Sequence, residues 1–444
     1  MFNRVLVANR GEIALRVIRA CHEVGIEALA VYSDVDKEAP FTAHADQAFP
    51  LGDPNLAESY LNIDKIVDIA SKAEADAIHP GYGLLSENAA FAQACGEAGL
   101  TFIGPPPSAI GAMGDKAEAR ELVAAKGVPV IPGSPGLVRE VDDASQIAEE
   151  LGYPVIVKPS AGGGGIGMKV VQTEDELAAA FDATRRMAQT AFGAQGIILE
   201  RYLPKPRHVE VQVASDGKDT IHFFERECSV QRRYQKLIEE TPSMALTEDL
   251  RQAMGQAAIR VAEAVRYVNL GTVEFMFSLG SFYFLEMNTR LQVEHPITEM
   301  TTGTDLVHLQ LRIAAGVEDL PRQDGVQPRG HAIECRINAE DPSKNFMPSP
   351  GEIRSWVEPG GPWVRVDSGV ASGYIVPYQY DPLLAKVIVW AETREEAIAR
   401  MKRSLREFQV EGITTTIPFH QAALDHAAFR SGDYDTHLVN DVDV

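Results

Sequence analysis

Residues 155–171 read VIVKPSAGGGGIGMKVV, four consecutive glycines between two strand-like runs. Gly162, Gly164 and Gly167 formally satisfy G-x-G-x-x-G. That fingerprint binds a dinucleotide only where the glycines join a strand to a helix whose N-terminus receives the pyrophosphate. Here the chain continues into residues 168–171, which have strand character and end on two valines. A helical pattern begins only at TEDELAAAF, where Thr173 and Glu176 have the spacing of a capping box. No Lys-Ser or Lys-Thr closes the loop, so it is not a Walker A phosphate loop. The stretch is predicted to be a glycine-rich hairpin tip.

Working outward, residues 153–203 form a compact unit of strand, glycine hairpin, strand, helix and the strand GIILERYL. Upstream, RVLVAN, EIALRVIRACHEVG and IEALAVYSD alternate strand and helix patterns, and the alternation continues to LTFIGP. Such repetition predicts a parallel sheet with crossover helices. The turn NRGE after the first strand has one glycine and gives poor support for a dinucleotide site. The turn HPGYG (residues 79–83) lies where ligands of open α/β sheets collect, and reads equally as a glycine turn that shapes a loop. GPPPS (residues 104–108) and VPVIPGSPG are breaks on either side of the helical DKAEARELVAAKG. Downstream come a hairpin around Asp216-Gly217, a long helix, a second hairpin and a Gly/Pro-rich β segment from about residue 330.

A chain of 444 residues exceeds one hydrophobic core and predicts roughly three domains. Composition is that of a globular enzyme, 45% hydrophobic and 23% charged. No apolar run reaches the roughly 18 residues that span a bilayer, and the opening MFNRVLVANRGE lacks the basic and apolar regions of a signal peptide. Cys21, Cys95, Cys228 and Cys335 are scattered without a C-x-x-C pair, which suits a reducing cytoplasm and argues against disulfides or structural zinc. With 63 acids against 41 bases the net charge is −22, which disfavours a nucleic-acid partner while leaving room for local basic anion sites.

Chemistry concentrates in GTVEFMFSLGSFYFLEMNTRLQVEHP, residues 271–296. A three-residue loop, with Ser278 opposite Phe282, brings Glu274 opposite Glu286, and period two adds Asn288 to the same face. Facing carboxylates among apolar residues are destabilising unless a cation or proton lies between them. Two carboxylates and an amide oxygen suit octahedral Mg²⁺, and a solvent-facing pair on an edge strand is the alternative. Lys158, entering the glycines from an apolar strand, and Lys116 supply positive charge. Backbone N–H groups at Gly163, Gly164 and Gly165 can approach phosphate with no Cβ between them. Together these features predict a nucleoside triphosphate held between two β-rich lobes.

Over essentially its whole length the chain resembles the biotin carboxylases of the ATP-grasp superfamily. The resemblance is carried by NRGEIALRVIRA, HPGYGLLSEN, FIGP, KPSAGGGGIGM, PRHVEVQV, CSVQRRYQK with its following EE, LEMNTRLQVEHPITEM and GHAIECRINAEDP, in this order. It implies an α/β and α+β chain with an ATP-grasp fold. Its parts would be a Rossmann-like N-terminal domain (1–113), a linker helix and connection (114–131), a mobile glycine-loop lid (132–203) and a β-rich C-terminal domain (204–444).

The resemblance also implies roles. Lys116, Lys158 and Gly163, Gly164 and Gly165 would hold ATP phosphates, with Glu200, Arg201, Tyr202 and Leu203 at the adenine edge and His208, Gln231 and Tyr234 near the nucleotide. Glu274, Glu286 and Asn288 match the Mg²⁺ (or Mn²⁺) ligands inferred above. Lys236, Arg290, Gln292 and the backbone of Val293 correspond to the bicarbonate site, Glu294 to the general base, and Arg336 to the residue facing the biotin ureido oxygen. The implied reaction carboxylates carrier-bound biotin through carboxyphosphate, the first half-reaction of an enzyme such as acetyl-CoA carboxylase. Glu294, four residues from Arg290 and two from Gln292, would face the same way in an extended segment. RLQVEHP alone reads equally as a charged edge strand. Implied partners are a biotin carboxyl carrier protein, a carboxyltransferase and a second copy of the chain, with no membrane and no nucleic acid.

Two positions depart from the family pattern: Ile166, where many relatives carry Lys or Arg, and Tyr234, where some carry His. Neither is an inferred catalytic or metal residue, and activity is expected to survive both. An ATP-grasp ligase joining a carboxylate to an amine, or a nucleotide-binding regulator, would not require Lys236, Arg290, Glu294 and Arg336 together.

Overall fold

A computed structural model describes residues 1–159, 167–192, 196–317 and 320–444. The apolar run RVLV forms β1 (Arg4–Val7) at the centre of a five-stranded parallel sheet. β2 (Glu27–Ser33) and β3 (Gln47–Gly52) lie to one side, β4 (Ala77–His79) and β5 (Thr101–Phe102) to the other. The order β3-β2-β1-β4-β5 is the doubly wound, Rossmann-like arrangement that the resemblance implies, and its strands are parallel as the alternating pattern predicts. Ile13, Val17, Ile18 and Cys21 of the helix Gly11–Glu23 share a hydrophobic cluster with Val5 and Val7, and also with Leu291, Ile353 and Leu384. This unit and the C-terminal half therefore have a common core.

β6 (Val155–Pro159) pairs antiparallel with β7 (Lys169–Val171) on one edge and β8 (Ile197–Arg201) on the other. Val155 opposite Val171 bears out the hairpin reading, and the tip with Gly163, Gly164, Gly165 and Ile166 lies outside the described residues. The helix Glu174–Phe192 follows, and Glu176 accepts from the backbone N–H of Gln172 at 2.8 Å. The carboxylate half of the expected capping box thus reaches one residue further back than Thr173. Asp115 caps the helix Lys116–Ala125 by accepting from Ala117 and Glu118. That helix is more than a connection, since Ala119 and Val123 pack with Val273, Phe275 and Phe284.

The largest sheet is antiparallel and eight-stranded. It contains β9 (Arg207–Ser215), β10 (Thr220–Arg232), β11 (Gln235–Thr241), β12 (Asn269–Ser278), β13 (Ser281–Asn288), β14 (His331–Asn338) and two later strands, Val364–Ser368 and Leu383–Ala391. Its order runs β13-β12-β9-β10-β11-β14, then Leu383–Ala391, then Val364–Ser368. The β12–β13 turn differs from the expected three-residue loop. Ser278 faces Ser281, and Leu279 and Gly280 take φ of +46° and +81°, as a two-residue hairpin turn requires. Continued unbroken, that register would set Glu274 against Leu285. A register shift beyond Phe275 and Phe284 leaves Leu285 as an extra residue, and Glu274 faces Glu286 after all.

Candidate active site

Four strands place one charged row across the large sheet. Arg226 of β10 is register partner of Glu210 on β9, Glu210 of Glu274 on β12, and Glu274 of Glu286 on β13. Like charges side by side on adjacent strands require intervening cations. Lys236 supplies the central one. A register shift at Leu237 turns Lys236 to the face of Glu239, since one extra residue reverses the alternation. Its Nζ donates to Glu210 Oε2 at 2.5 Å, Glu274 Oε1 at 2.9 Å and Glu294 Oε1 at 2.6 Å. Arg226 Nε donates to the other oxygen of Glu210 at 2.5 Å, and His208 Nε2 lies 2.9 Å from Glu274 Oε2. Arg336 closes the other end, Nη2 to Glu294 Oε2 at 2.9 Å and Nε to Glu239 Oε1 at 2.6 Å.

Residues 290–294 do not extend β13. The strand ends at Asn288, and the chain turns so that Glu294, at φ −81° and ψ 11°, becomes the N-cap of the helix His295–Thr302. The expectation of Arg290, Gln292 and Glu294 on one extended face is therefore corrected, as is the edge-strand alternative. Pro296, at the second helical position, suits a helix start and cannot donate to a strand ladder. The turn still converges on the row. Gln292 Nε2 donates to Glu274 Oε1 at 3.0 Å, and Arg290 donates to Asn288 Oδ1 and Gln292 Oε1, each at 2.9 Å. Glu87, from the HPGYGLLSEN loop, accepts from Arg290 Nε at 2.9 Å and from Thr289 N–H at 2.9 Å. The Val293 carbonyl accepts from Lys386.

Burial raises the carboxyl pKa of Glu294, but Lys236, Arg336 and Arg226 outweigh it and hold Glu294 well below the usual carboxylate range. Glu274 is likewise lowered, Lys236 and His208 overcoming its burial. Glu239 goes the other way, pushed up to about 7 by burial against the opposing pull of Arg336. Lys236 is raised well above its ordinary value because the glutamates outweigh desolvation.

Among the residues expected to border a nucleotide, Lys116 Nζ lies 2.9 Å from Glu286 Oε2, and Glu200 bridges Lys158 at 2.6 Å and Arg120 at 2.8 Å. Arg201 and Tyr202 are held by backbone bonds to Pro132 and Pro154, and Leu203 is buried. Gln231 Nε2 is 3.4 Å from His208 Nδ1. Tyr234 stands apart, 57% exposed at the β10–β11 turn. Glu274, Glu286 and Asn288 form an all-oxygen donor set whose oxygens now lie on Lys116, Lys236, His208 and Arg290. Hard carboxylate and amide oxygens already compensated by cations fit Mg²⁺.

Sequence reasoning missed Glu210, Arg226, Glu239 and Glu87. The alternation HVEVQV had the signal: His208, Glu210 and Gln212 form the polar face of a strand buried along its whole length. A half-exposed strand shows the same alternation, which hides this one.

A parallel α/β unit, a small lid-like sheet and a large sheet with a cation-threaded carboxylate row define an ATP-grasp ligase, and residues 115–322 match the family described as carbamoyl-phosphate synthase L chain, ATP binding domain. Residues 1–110 match the biotin carboxylase N-terminal domain and 334–441 the biotin carboxylase C-terminal domain. The chain is 53% identical to biotin carboxylase 1 of Bacillus subtilis, over 100% of this chain and 99% of that one. It is 54% identical to a pyruvate carboxylase subunit of Methanothermobacter thermautotrophicus, over 99% of this chain and 90% of that one. The biotin carboxylase domain of Hydrogenobacter thermophilus 2-oxoglutarate carboxylase, a dimer solved with MgADP, ADP and bicarbonate, superposes with a TM-score of 0.92 at 46% identity, covering 99% of this chain and 98% of that one. The chain belongs to the biotin carboxylase family, and its reaction is the ATP-dependent carboxylation of biotin. Among the described residues no helix is long and apolar enough to cross a membrane.

Proposed function

We propose that Lys236, Arg290, Gln292 and the Val293 backbone hold bicarbonate, that Glu294 is its general base, and that Arg336 faces the ureido oxygen of biotin. The observation that carries this reading is the sharing of Glu294 between Lys236 and Arg336, one cation on each carboxylate oxygen. An anion that draws Lys236 toward itself withdraws the charge that keeps Glu294 weakly basic. Substrate binding thus raises the proton affinity of the base beside the substrate, where proximity makes transfer effective. Arg290 offers bicarbonate a planar fork.

Lys116 and Lys158 turn from Glu286 and Glu200 to the phosphates of ATP, with Gly163, Gly164 and Gly165 completing the cradle and residues 200–203, His208, Gln231 and Tyr234 bordering the nucleotide. Glu274, Glu286 and Asn288 hold Mg²⁺, which when bound supplies neutralisation of the phosphate oxygens. Deprotonated bicarbonate attacks the γ-phosphorus of ATP, and ADP leaves. The resulting carboxyphosphate breaks down to CO₂ and phosphate, which takes the proton from biotin N1′. Arg336 stabilises the enolate-like oxygen that develops, and N1′ attacks the CO₂ to give carboxybiotin. Residues 132–203 close over this intermediate and keep water out. The domain boundaries are those expected from the sequence: 1–113, 114–131, 132–203 and 204–444.

The chain works as a homodimer in the cytoplasm with a biotin carboxyl carrier protein, and passes the carboxyl group to an acceptor chosen by a separate carboxyltransferase. Four buried, unpaired cysteines are in keeping with a reducing compartment. The test is MgATP cleavage with and without bicarbonate, each with and without free biotin. Cleavage that needs bicarbonate and rises with biotin supports the assignment; bicarbonate-independent cleavage overturns it.

A further inference from the structure

Two turns singled out in the sequence, NRGE and HPGYG, have no part in the chemistry above, yet they meet. Asn9 Nδ2 donates to the carbonyls of Pro80 at 2.6 Å and Tyr82 at 2.8 Å. Gly81, at φ +62°, leaves no room for a Cβ, which would stand 2.8 Å from Asn9 Nδ2. The laced turns present Glu12 and Tyr82 together, with the Tyr82 hydroxyl donating to Glu12 Oε1. Facing them is Lys386, fully buried on the strand Leu383–Ala391 and register partner of both Arg336 and Asp367.

A fully buried ammonium needs charge partners. Lys386 has Glu12 at 3.2 Å and Asp367 at 3.9 Å, and the Tyr82 ring centroid at 6.0 Å. Its shortest contact is none of these but the Val293 carbonyl, at 2.8 Å. Four successive carbonyls of the site turn, Leu291 to Glu294, each accept a hydrogen bond. Leu291 accepts from Arg290 Nη1, Gln292 from His295 Nδ1, and Glu294 from Ile297 N–H. Of these four, Val293 is the one whose donor comes from outside residues 290–297.

We propose that Lys386 is a positioning residue for bicarbonate: it holds the Val293–Glu294 peptide with its carbonyl turned into the protein, and Glu12 and Tyr82 hold Lys386 there. The inference rests on the bicarbonate assignment proposed for this turn. A carbonyl released from Lys386 can rotate its negative end toward the cavity, where it repels an anion and displaces the first atoms of Glu294. The N-terminal α/β unit thereby acts on bicarbonate without touching it.

The test measures bicarbonate-dependent ATP cleavage by the full chain. Lys386→Met raises KM for bicarbonate by about tenfold or more, while KM for ATP stays within about twofold. Because Lys386→Met leaves Glu12 buried without its cation, the double variant Lys386→Met/Glu12→Gln removes both charges, and Asp367 keeps Arg365 at 2.7 Å. It shows the same rise if the lysine positions the peptide. Glu12→Gln alone, nearly isosteric, raises KM for bicarbonate by about threefold. A double variant with wild-type KM for bicarbonate overturns the inference, since Lys386 then only neutralises Glu12. An unchanged KM in Lys386→Met and Glu12→Gln overturns it too. A wild-type enzyme without bicarbonate-dependent cleavage overturns the site assignment beneath it, and the inference with it.

Discussion

Lys236 Nζ stands 2.6 Å from Glu294 Oε1, although the two residues are 58 apart in sequence. The same ammonium touches Glu210 and Glu274, so one cation compensates carboxylates from two strands and a turn. Lys236→Met leaves three buried acids around an uncharged side chain. Bicarbonate-dependent ADP release should fall by about a hundredfold or more, and urea unfolding should show a loss of about 3 kcal/mol. Retained activity would remove Lys236 from the substrate site.

Glu286 pairs with Glu274 across the β12–β13 hairpin and is ion-paired with Lys116. Glu286→Gln should raise the Mg²⁺ concentration for half-maximal ATP cleavage by about tenfold. A Mg²⁺ titration at fixed ATP decides it, and an unshifted midpoint excludes Glu286 from the metal set.

Arg336 reaches Glu294 with Nη2 and Glu239 with Nε. Arg336→Ala should lower biotin carboxylation by about a hundredfold while bicarbonate-dependent ATP cleavage without biotin falls less than about tenfold. Equal losses in both assays would tie Arg336 to bicarbonate activation instead.

His420 is buried, its Nε2 donating to the Arg336 carbonyl at 2.6 Å, and burial pushes its pKa down to about 4. The unfolded chain takes that proton near the ordinary histidine value. Its contribution is therefore fully present above about pH 6.5 and is lost as pH falls toward 4. Between pH 7 and 5 the wild type should lose about 2 kcal/mol more stability than His420→Gln. Urea titrations at the two pH values measure the difference, and parallel losses would refute it.

The residues written into the row by hairpin register, Glu274 and Glu286, were legible because their pairing survived an error. The expected three-residue loop and the actual two-residue turn with an extra Leu285 count the same number of residues between them. Residues 290–294 were misread because their polar alternation mimics a strand, while Pro296 two positions beyond Glu294 was the signal for a helix start. Glu210 and Arg226 escaped because burial of a polar face depends on what lies above it, here the helix His295–Thr302 with Thr298 bonded to Arg226. Glu87 reaches Arg290 from 203 residues away, a contact that local patterns cannot encode. The parallel sheet was readable because each crossover helix follows its strand in sequence.

The extra residue at Leu285 separates two kinds of tolerance to editing. The hairpin tip is open ground: Leu279 is 76% exposed, and a dye or a short peptide grafted between it and Gly280 lies on the far side of four paired positions from Glu286. Excising Leu285 alone would close the bulge and keep Glu286 opposite Glu274, whereas one residue added between Leu285 and Glu286 would carry Glu286 and Asn288 to the opposite face of the sheet. A chain so lengthened would keep every charged residue and most of its fold, yet have no carboxylate of β13 facing Glu274. Length variation among natural homologues should accordingly gather at the tip and spare the stretch from Leu285 to Asn288, where one added residue leaves every word in place but changes the sentence.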